Sequence, residues 1–223
     1  IMTFNIHHGE GTDRVYDIGR IARFLREHQA ELIGCQEVDN KYSERSRNED
    51  QPEMLKGVLG FQIFYGPNIR ENYGNLILSK YPILEAKNVK LPNPEEKEPR
   101  GLIIASINVK NRSIFFLNTH LSASSPVNRA SQVQHIRKIV IGMHKPVILV
   151  GDFNTRPSRQ LQPLLEEGLL YSTRGILELK EGIDDILVSE KLRNLVLEGK
   201  LVPNKLSDHS AYWIDIDIGK IIE

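Results

Sequence analysis

The stretch Val147-Ile148-Leu149-Val150-Gly151-Asp152-Phe153-Asn154 decides the architecture. Its first four residues are all apolar and mostly β-branched, so they read as a strand. A strand with one wet face alternates apolar and polar residues. This one does not, so both of its faces are buried. It lies between a second sheet on one side and a layer of helices on the other. The chain then changes character at once. Asp152 and Asn154, two residues apart, point the same way if the backbone stays extended, and Phe153 points the opposite way into the core. A carboxylate and an amide oxygen aimed at one point suit a hard cation. The plain alternative is a turn, which Asp and Asn also favour.

Outward from this strand, short β-branched or aromatic runs give further strands at 1–7, 31–38, 61–65, 75–79, 83–91, 102–109, 113–120, 183–189, 195–201 and 211–218. Helices are fewer. Ile18, Ile21, Ala22 and Leu25 make one buried stripe over 17–28. Met54, Leu55, Val58 and Leu59 make a second, with Gly60 as its stop. Val133, Ile136, Val140 and Met143 make a third, and Ser158 is the expected cap of a fourth that buries Leu161, Leu164 and Leu165. About eleven strands and four helices predict an α/β (α+β) fold: two mainly antiparallel sheets face to face with helices outside.

The chain has 223 residues, 40% hydrophobic and 26% charged. A chain of this length buries roughly 70% of its unfolded surface. No repeat or linker divides it, so one domain over 1–223 is expected. One Cys excludes a disulfide scaffold. No apolar run approaches the roughly 18 residues of a membrane span. Lys and Arg count 29 against 29 Asp and Glu, which argues against holding long nucleic acid by bulk charge. The single Cys fits a reducing compartment and gives a cytoplasmic location as the expectation, with a missing or processed segment ahead of Ile1 as the alternative.

Polar residues gather where strands finish: Thr3–Gly9, Cys35–Asp39, Asn118–Leu121, Gly151–Asn154, Ile183–Asp185 and Ser207–Ser210. Solubility alone would spread them over both ends and the loops. Asn5 ends an apolar strand, and its amide needs partners if buried. Glu37 ends a buried run, where a carboxylate is usually paired or metal-bound. Cys35 shares a face with Glu37 by alternation and reads as packing. His120 ends a strand and is open to a structural role, as are His7 and His8. In Ser207-Asp208-His209-Ser210, adjacent residues of an extended strand face opposite ways. His209 therefore needs a carboxylate from another strand to fix its tautomer, with Asp184 and Asp185 as candidates. Asp208 is then free for a metal.

The ordered set Asn5, Glu37, His120, Asp152 and Asn154, Asp184, and Asp208 and His209 resembles the endonuclease/exonuclease/phosphatase superfamily, over residues 3–210. Tyr73–Ile83, which holds Asn75, is similar to a strand–turn segment of that family. The resemblance implies a four-layer sandwich and divalent-metal-dependent hydrolysis of a phosphoester, with Mg²⁺ or Mn²⁺. It implies Glu37 as main metal ligand, supported by Asn5, Asp152 and Asp208. It further implies His209 as base held by Asp184, and Asn154 and His120 as donors to the phosphoryl oxygens. Arg100 and Asn75 stand where relatives place groups near the substrate.

Within the superfamily, inositol phosphatases usually continue Gly-Asp-(apolar)-Asn with Tyr-Arg, whereas this chain has Thr155-Arg156-Pro157. Abasic-site nucleases usually carry an aromatic residue at His120. His120 is more similar to the deoxyribonuclease and sphingomyelinase branches. After Glu37 comes a mixed loop, 39–51, whose Arg45 and Arg47 are candidates to clamp a second phosphate; the plain alternative is a solvated loop. The expected function is a metal-dependent phosphodiesterase acting on a small molecule or lipid head group rather than long nucleic acid. A DNA or RNA nuclease is the enzymatic alternative. A phosphate-binding scaffold is the alternative outside enzymes.

Overall fold

In the computed structural model, which describes residues 1–221, the strand Val147–Asp152 is buried at every position. Ile222 and Glu223, the end of the expected 1–223 domain, lie outside the described residues. The described strands form two six-stranded sheets. In spatial order the first holds Val196–Val202 (β11), Ala211–Ile216 (β12), Met2–Asn5 (β1), Leu32–Asp39 (β2), Tyr73–Ser79 (β4) and Gln62–Ile69 (β3). The second holds Ile83–Lys90 (β5), Gly101–Val109 (β6), Arg112–His120 (β7), Val147–Asp152 (β8), Asp184–Val188 (β10) and Tyr171–Ser172 (β9). Each sheet has a parallel pair at its middle, β1 with β2 and β7 with β8, and antiparallel pairs around it.

The inner faces pack on each other through residues such as Ile77, Ile103, Phe116, Ile148, Val150 and Ile214. The outer face of the first sheet is covered by Ile18–Glu27 (α1) and Gln51–Leu59 (α2), and that of the second by Pro126–Ile141 (α3) and Gln162–Leu165 (α4). These are the four layers that the resemblance implies, and the apolar run at 147–150 is covered on both faces as expected. Asp17 caps α1 by accepting from the Arg20 N–H at 3.1 Å. Gly60 closes α2 in the left-handed region (φ 70°), which glycine adopts without a steric cost.

Four expectations change. Ser158 does not cap a helix: its side chain and N–H bind Glu181, and α4 begins only at Gln162. The last strand stops at Ile216, and Ile218 falls in a 3-10 turn. The short elements β9, Thr173–Ile176 (α5) and Glu190–Arg193 (α6) are too brief to show a period. Finally, Cys35 and Glu37 do not share a face. The pairing of β2 with β4 slips between Cys35 and Val38, and Glu37 sits at φ 57°. This bulge leaves Cys35 in the helix-side core and returns Glu37 toward Asn5. Burial pushes the Cys35 thiol up to about 12, as expected of a packing residue.

The topology sets one edge apart. Partners in a parallel pair end at the same edge. Because β1 packs across from β8 and β2 across from β7, the ends of all four middle strands converge, bringing Asn5, Glu37, His120 and Asp152 to one rim. β10 runs against β8 with Asp184 in register with Asp152, so Asp184 starts at that rim. β12 runs against β1, so His209 precedes it there too.

Candidate active site

Asn5 is fully buried. Its Nδ2 donates to Glu37 Oε1 at 3.0 Å and to Asp152 Oδ2 at 3.1 Å, and its Oδ1 accepts from the His7 N–H. One amide thus holds two carboxylates beside each other. Burial first, and the Asp184 charge second, push the Asp152 carboxyl up to about 6. Below this group a buried polar patch joins the sheets. Gln36 Nε2 donates to Asn118 Oδ1 at 2.7 Å and to Thr3 Oγ1 at 3.1 Å, and Asn118 Nδ2 donates to the Cys35 and Leu76 carbonyls. A methyl on Gly34 would collide with Val150 and Asn118, so the sheets approach closely just beneath the rim.

His209 Nδ1 lies 2.9 Å from Asp184 Oδ2 and 3.2 Å from Oδ1. Its Nε2 lies 3.6 Å from Asp152 Oδ2. Burial pulls its pKa down, but the hydrogen bond and charge of Asp184, with Asp152 and Asp208, more than reverse this and raise it to about 9. Asp185, the other candidate, points away from the ring. It is buried against Ser172 Oγ, and burial pushes it up to about 6. The residues around His209 form a bend rather than a strand, so alternation does not govern Asp208. That carboxylate is exposed, accepts from Ser207 Oγ at 3.3 Å and stands near the His209 ring.

His120 faces the same carboxylate from the other side, with Nε2 3.4 Å from Asp152 Oδ2. Its Nδ1 is 2.9 Å from Arg100 Nη1. A guanidinium only donates, so Nδ1 accepts and the ring proton sits on Nε2. Burial, then the Arg100 and His209 charges, hold the His120 pKa well below its ordinary value. Arg100 also pairs with Glu98 at 2.9 Å. Although its position beside a strand was expected to bring it near a substrate, its Nη1 is spent on His120 and Glu98. Asn75 is buried and donates to the Gly101 carbonyl.

Asn154 is in a turn at φ 50°, so the extended geometry expected for Asp152 and Asn154 gives way to the turn alternative. Its N–H donates to Asp152 Oδ1 at 2.9 Å and its Nδ2 to the Leu121 carbonyl at 3.0 Å. Phe153 points into the helix-side core. In the 39–51 loop, Arg45 spends Nε and Nη2 on the buried Asp39 carboxylate, at 2.9 and 2.7 Å, and stacks near Tyr42. Arg47 lies over the Tyr16 ring. Arg45 is thereby committed to Asp39, whereas Arg47 stays exposed. Two further residues that the sequence does not single out support the rim: Arg174 donates to the Asp184 carbonyl at 2.8 Å, and Ser207 donates to the Asn5 carbonyl at 2.7 Å and accepts from the His209 N–H. Both fix the rim, and only the adjacency of Ser207 to Asp208-His209 hinted at it.

The model of the Endonuclease/Exonuclease/phosphatase family matches residues 2–209. The chain belongs to this family. Solved structures share the fold. An endonuclease/exonuclease/phosphatase from Beutenbergia cavernae DSM 12333 aligns with a TM-score of 0.79 at 20% identity, over 96% of this chain and 69% of its own. A mannosyl-6-phosphatase from Bacteroides thetaiotaomicron VPI-5482 gives 0.80 at 15% identity, over 97% and 98%. The human Nocturnin catalytic domain, with a bound sulfate anion, gives 0.72 at 19% identity, over 96% and 92%. Enzymes of the Endonuclease/Exonuclease/phosphatase family hydrolyse phosphoesters, and the rim is where this chain concentrates its chemistry.

The rim fits a divalent metal. Among the described residues, one group of acidic and histidine atoms lies within 4.8 Å of one another, from Asp152, Asp184 and His209. In this group the Asp184–His209 hydrogen bond competes with a cation for both residues. Glu37 and Asp152, set side by side by the one amide of Asn5, add hard oxygen donors for an oxygen-seeking ion. Asp208 adds negative charge from the solvent side.

Proposed function

We propose that this chain, as one catalytic unit over 1–223, hydrolyses phosphodiesters with the help of Mg²⁺ or Mn²⁺ and with His209 as general base. The observation that carries the reading is the His209–Asp184 pair, with the far ring nitrogen turned toward Asp152. Glu37 and Asp152 would hold the cation, with Asn5 setting their oxygens side by side and Asp208 on its open side. When bound, the cation neutralises charge on the phosphoryl oxygens and opposes the carboxylates that raise His209. His209 Nε2 takes a proton from the attacking water, and Asp184 keeps the ring oriented and stabilises the imidazolium. His120, neutral, donates from Nε2 to a phosphoryl oxygen, and Asn154 lies beside it.

A diester is favoured over a monoester because four carboxylates (Glu37, Asp152, Asp184 and Asp208) surround the centre, and a singly charged phosphate meets less repulsion there than a dianion. With no net charge on the chain, a small molecule or lipid head group is favoured over a long polymer. The test is hydrolysis of bis(p-nitrophenyl) phosphate beside p-nitrophenyl phosphate. We expect the diester to be turned over, activity to vanish in EDTA and return with Mg²⁺ or Mn²⁺, and Glu37→Gln to be nearly inactive at cation levels that saturate wild type. Full activity in excess EDTA would overturn the metal, and a strong preference for the monoester would overturn the diester.

A further inference from the structure

A cleft of about 450 Å³ opens beside the turn that carries Asp152. Asn154 forms one wall, while Arg129, Arg156 and Arg159 face into it. Among the described residues, no acidic one lines it. Arg129 is committed: Nη1 donates to the Ser122 and Ala123 carbonyls at 2.7 and 2.9 Å, and Nε to Gln160 Oε1 at 2.8 Å. Arg156 and Arg159 are exposed, and neither side chain has an ion pair or hydrogen bond among the described residues. Several other arginines find carboxylates: Arg20 with Asp13, Arg45 with Asp39, Arg100 with Glu98.

The backbone also holds the two arginines close together. The Arg159 N–H donates to the Arg156 carbonyl at 3.0 Å, and a turn closed this way brings its end Cα atoms within about 7 Å. The loop is pinned from both sides. Gln160 Nε2 donates to the Pro126 carbonyl at 2.7 Å, and Ser158 binds Glu181 through its N–H and Oγ at 3.1 and 2.6 Å. Glu181, the acid that touches this loop, is thereby engaged. Two like charges fixed on one turn, with Arg129 behind them, repel unless an anion sits between them. A phosphate supplies three oxygens to two planar forks, a geometry that guanidinium matches with paired hydrogen bonds.

We infer that this cleft is a subsite in which Arg156 and Arg159 bind a second phosphate, a terminal monoester on a small substrate whose diester is cut at the rim. The inference rests on the hydrolase reading, and the test separates the two. The probes are thymidine 5′-(p-nitrophenyl phosphate) and the same compound carrying a 3′-phosphate, which share one scissile bond and leaving group. Wild type is expected to show a KM roughly ten- to hundredfold lower for the 3′-phosphorylated probe, the scale of one or two charge-assisted hydrogen bonds. The double variant Arg156→Ala/Arg159→Ala should lose that preference and keep its kcat/KM on the other probe. In parallel, the Kd of thymidine 3′,5′-bisphosphate relative to thymidine 5′-monophosphate is measured on both proteins without turnover. If wild type cuts neither probe, the hydrolase reading fails while the binding arm still decides the subsite. An unchanged bisphosphate Kd in the double variant overturns the subsite. Strong nicking of plasmid DNA that the double variant loses would give the cleft to a polymer backbone and overturn the small-substrate assignment.

Discussion

His209 and His120 flank one oxygen, Asp152 Oδ2, at 3.6 and 3.4 Å. What differs is the partner on the far nitrogen. His209 Nδ1 meets the Asp184 carboxylate, and His120 Nδ1 meets the Arg100 guanidinium. Burial lowers both, but carboxylates lift His209 to about 9, whereas Arg100 adds to the burial of His120 and keeps it neutral. The two sheets bring these rings to the same rim from opposite sides, since His120 ends β7 and His209 precedes β12. Two groups of one chemistry, driven apart by their neighbours, can divide the work of proton acceptor and neutral donor.

The largest effect should come from breaking the His209 side. His209→Ala should cost roughly 10²–10⁴-fold in kcat, the scale of a general base, and should flatten the acid limb of the pH–rate profile. Asp184→Asn should cost a large part of that, and the double variant little more, because the pair acts as a unit. His120→Ala should cost on the order of 10²-fold, the low end for one transition-state donor, yet keep the acid limb. An acid limb that follows His120 instead of His209, or losses at His209 and Asp184 that multiply, would reverse the assignment.

A smaller effect sharpens the other side. Arg100→Gln should reduce kcat about tenfold, as expected for one charge-assisted hydrogen bond, and change how stability depends on pH. A histidine lowered in the fold takes up its proton on unfolding, so its contribution is complete above about 6.5 and is lost as pH falls. Without Arg100 the folded value moves back toward the ordinary one and the dependence weakens. Melting curves from pH 5 to 7.5 should therefore show a shallower slope in the variant. An equal slope in both proteins would mean that Arg100 does not set the state of His120.

The strands were legible because β-branched runs and strand-end polarity are local signals. Val147–Val150 marked a strand covered on both faces. The rim residues were legible as a set for the same reason. What was not legible depends on backbone irregularity and on distant partners. The positive φ of Glu37 and Asn154 defeats any argument from alternation, and Ser207–Ser210 is bent. The uses of Arg45 and Arg100 are fixed by Asp39 and by His120. Arg100 and His120 are 20 residues apart, Arg100 just before β6 and His120 at the end of its antiparallel neighbour β7, whose register no local pattern reveals. The loop that pins Arg156 and Arg159 is held by Pro126 and Glu181, neither of which is near in sequence.

The division of labour between the two histidines is tested most directly by NMR titration of the ring protons in the metal-free protein, assigned with His209→Ala and His120→Ala. His209 is expected to titrate near 9 and His120 to stay neutral well below 6.5, with the proton on Nε2. Both rings titrating together near the ordinary histidine value would contradict it.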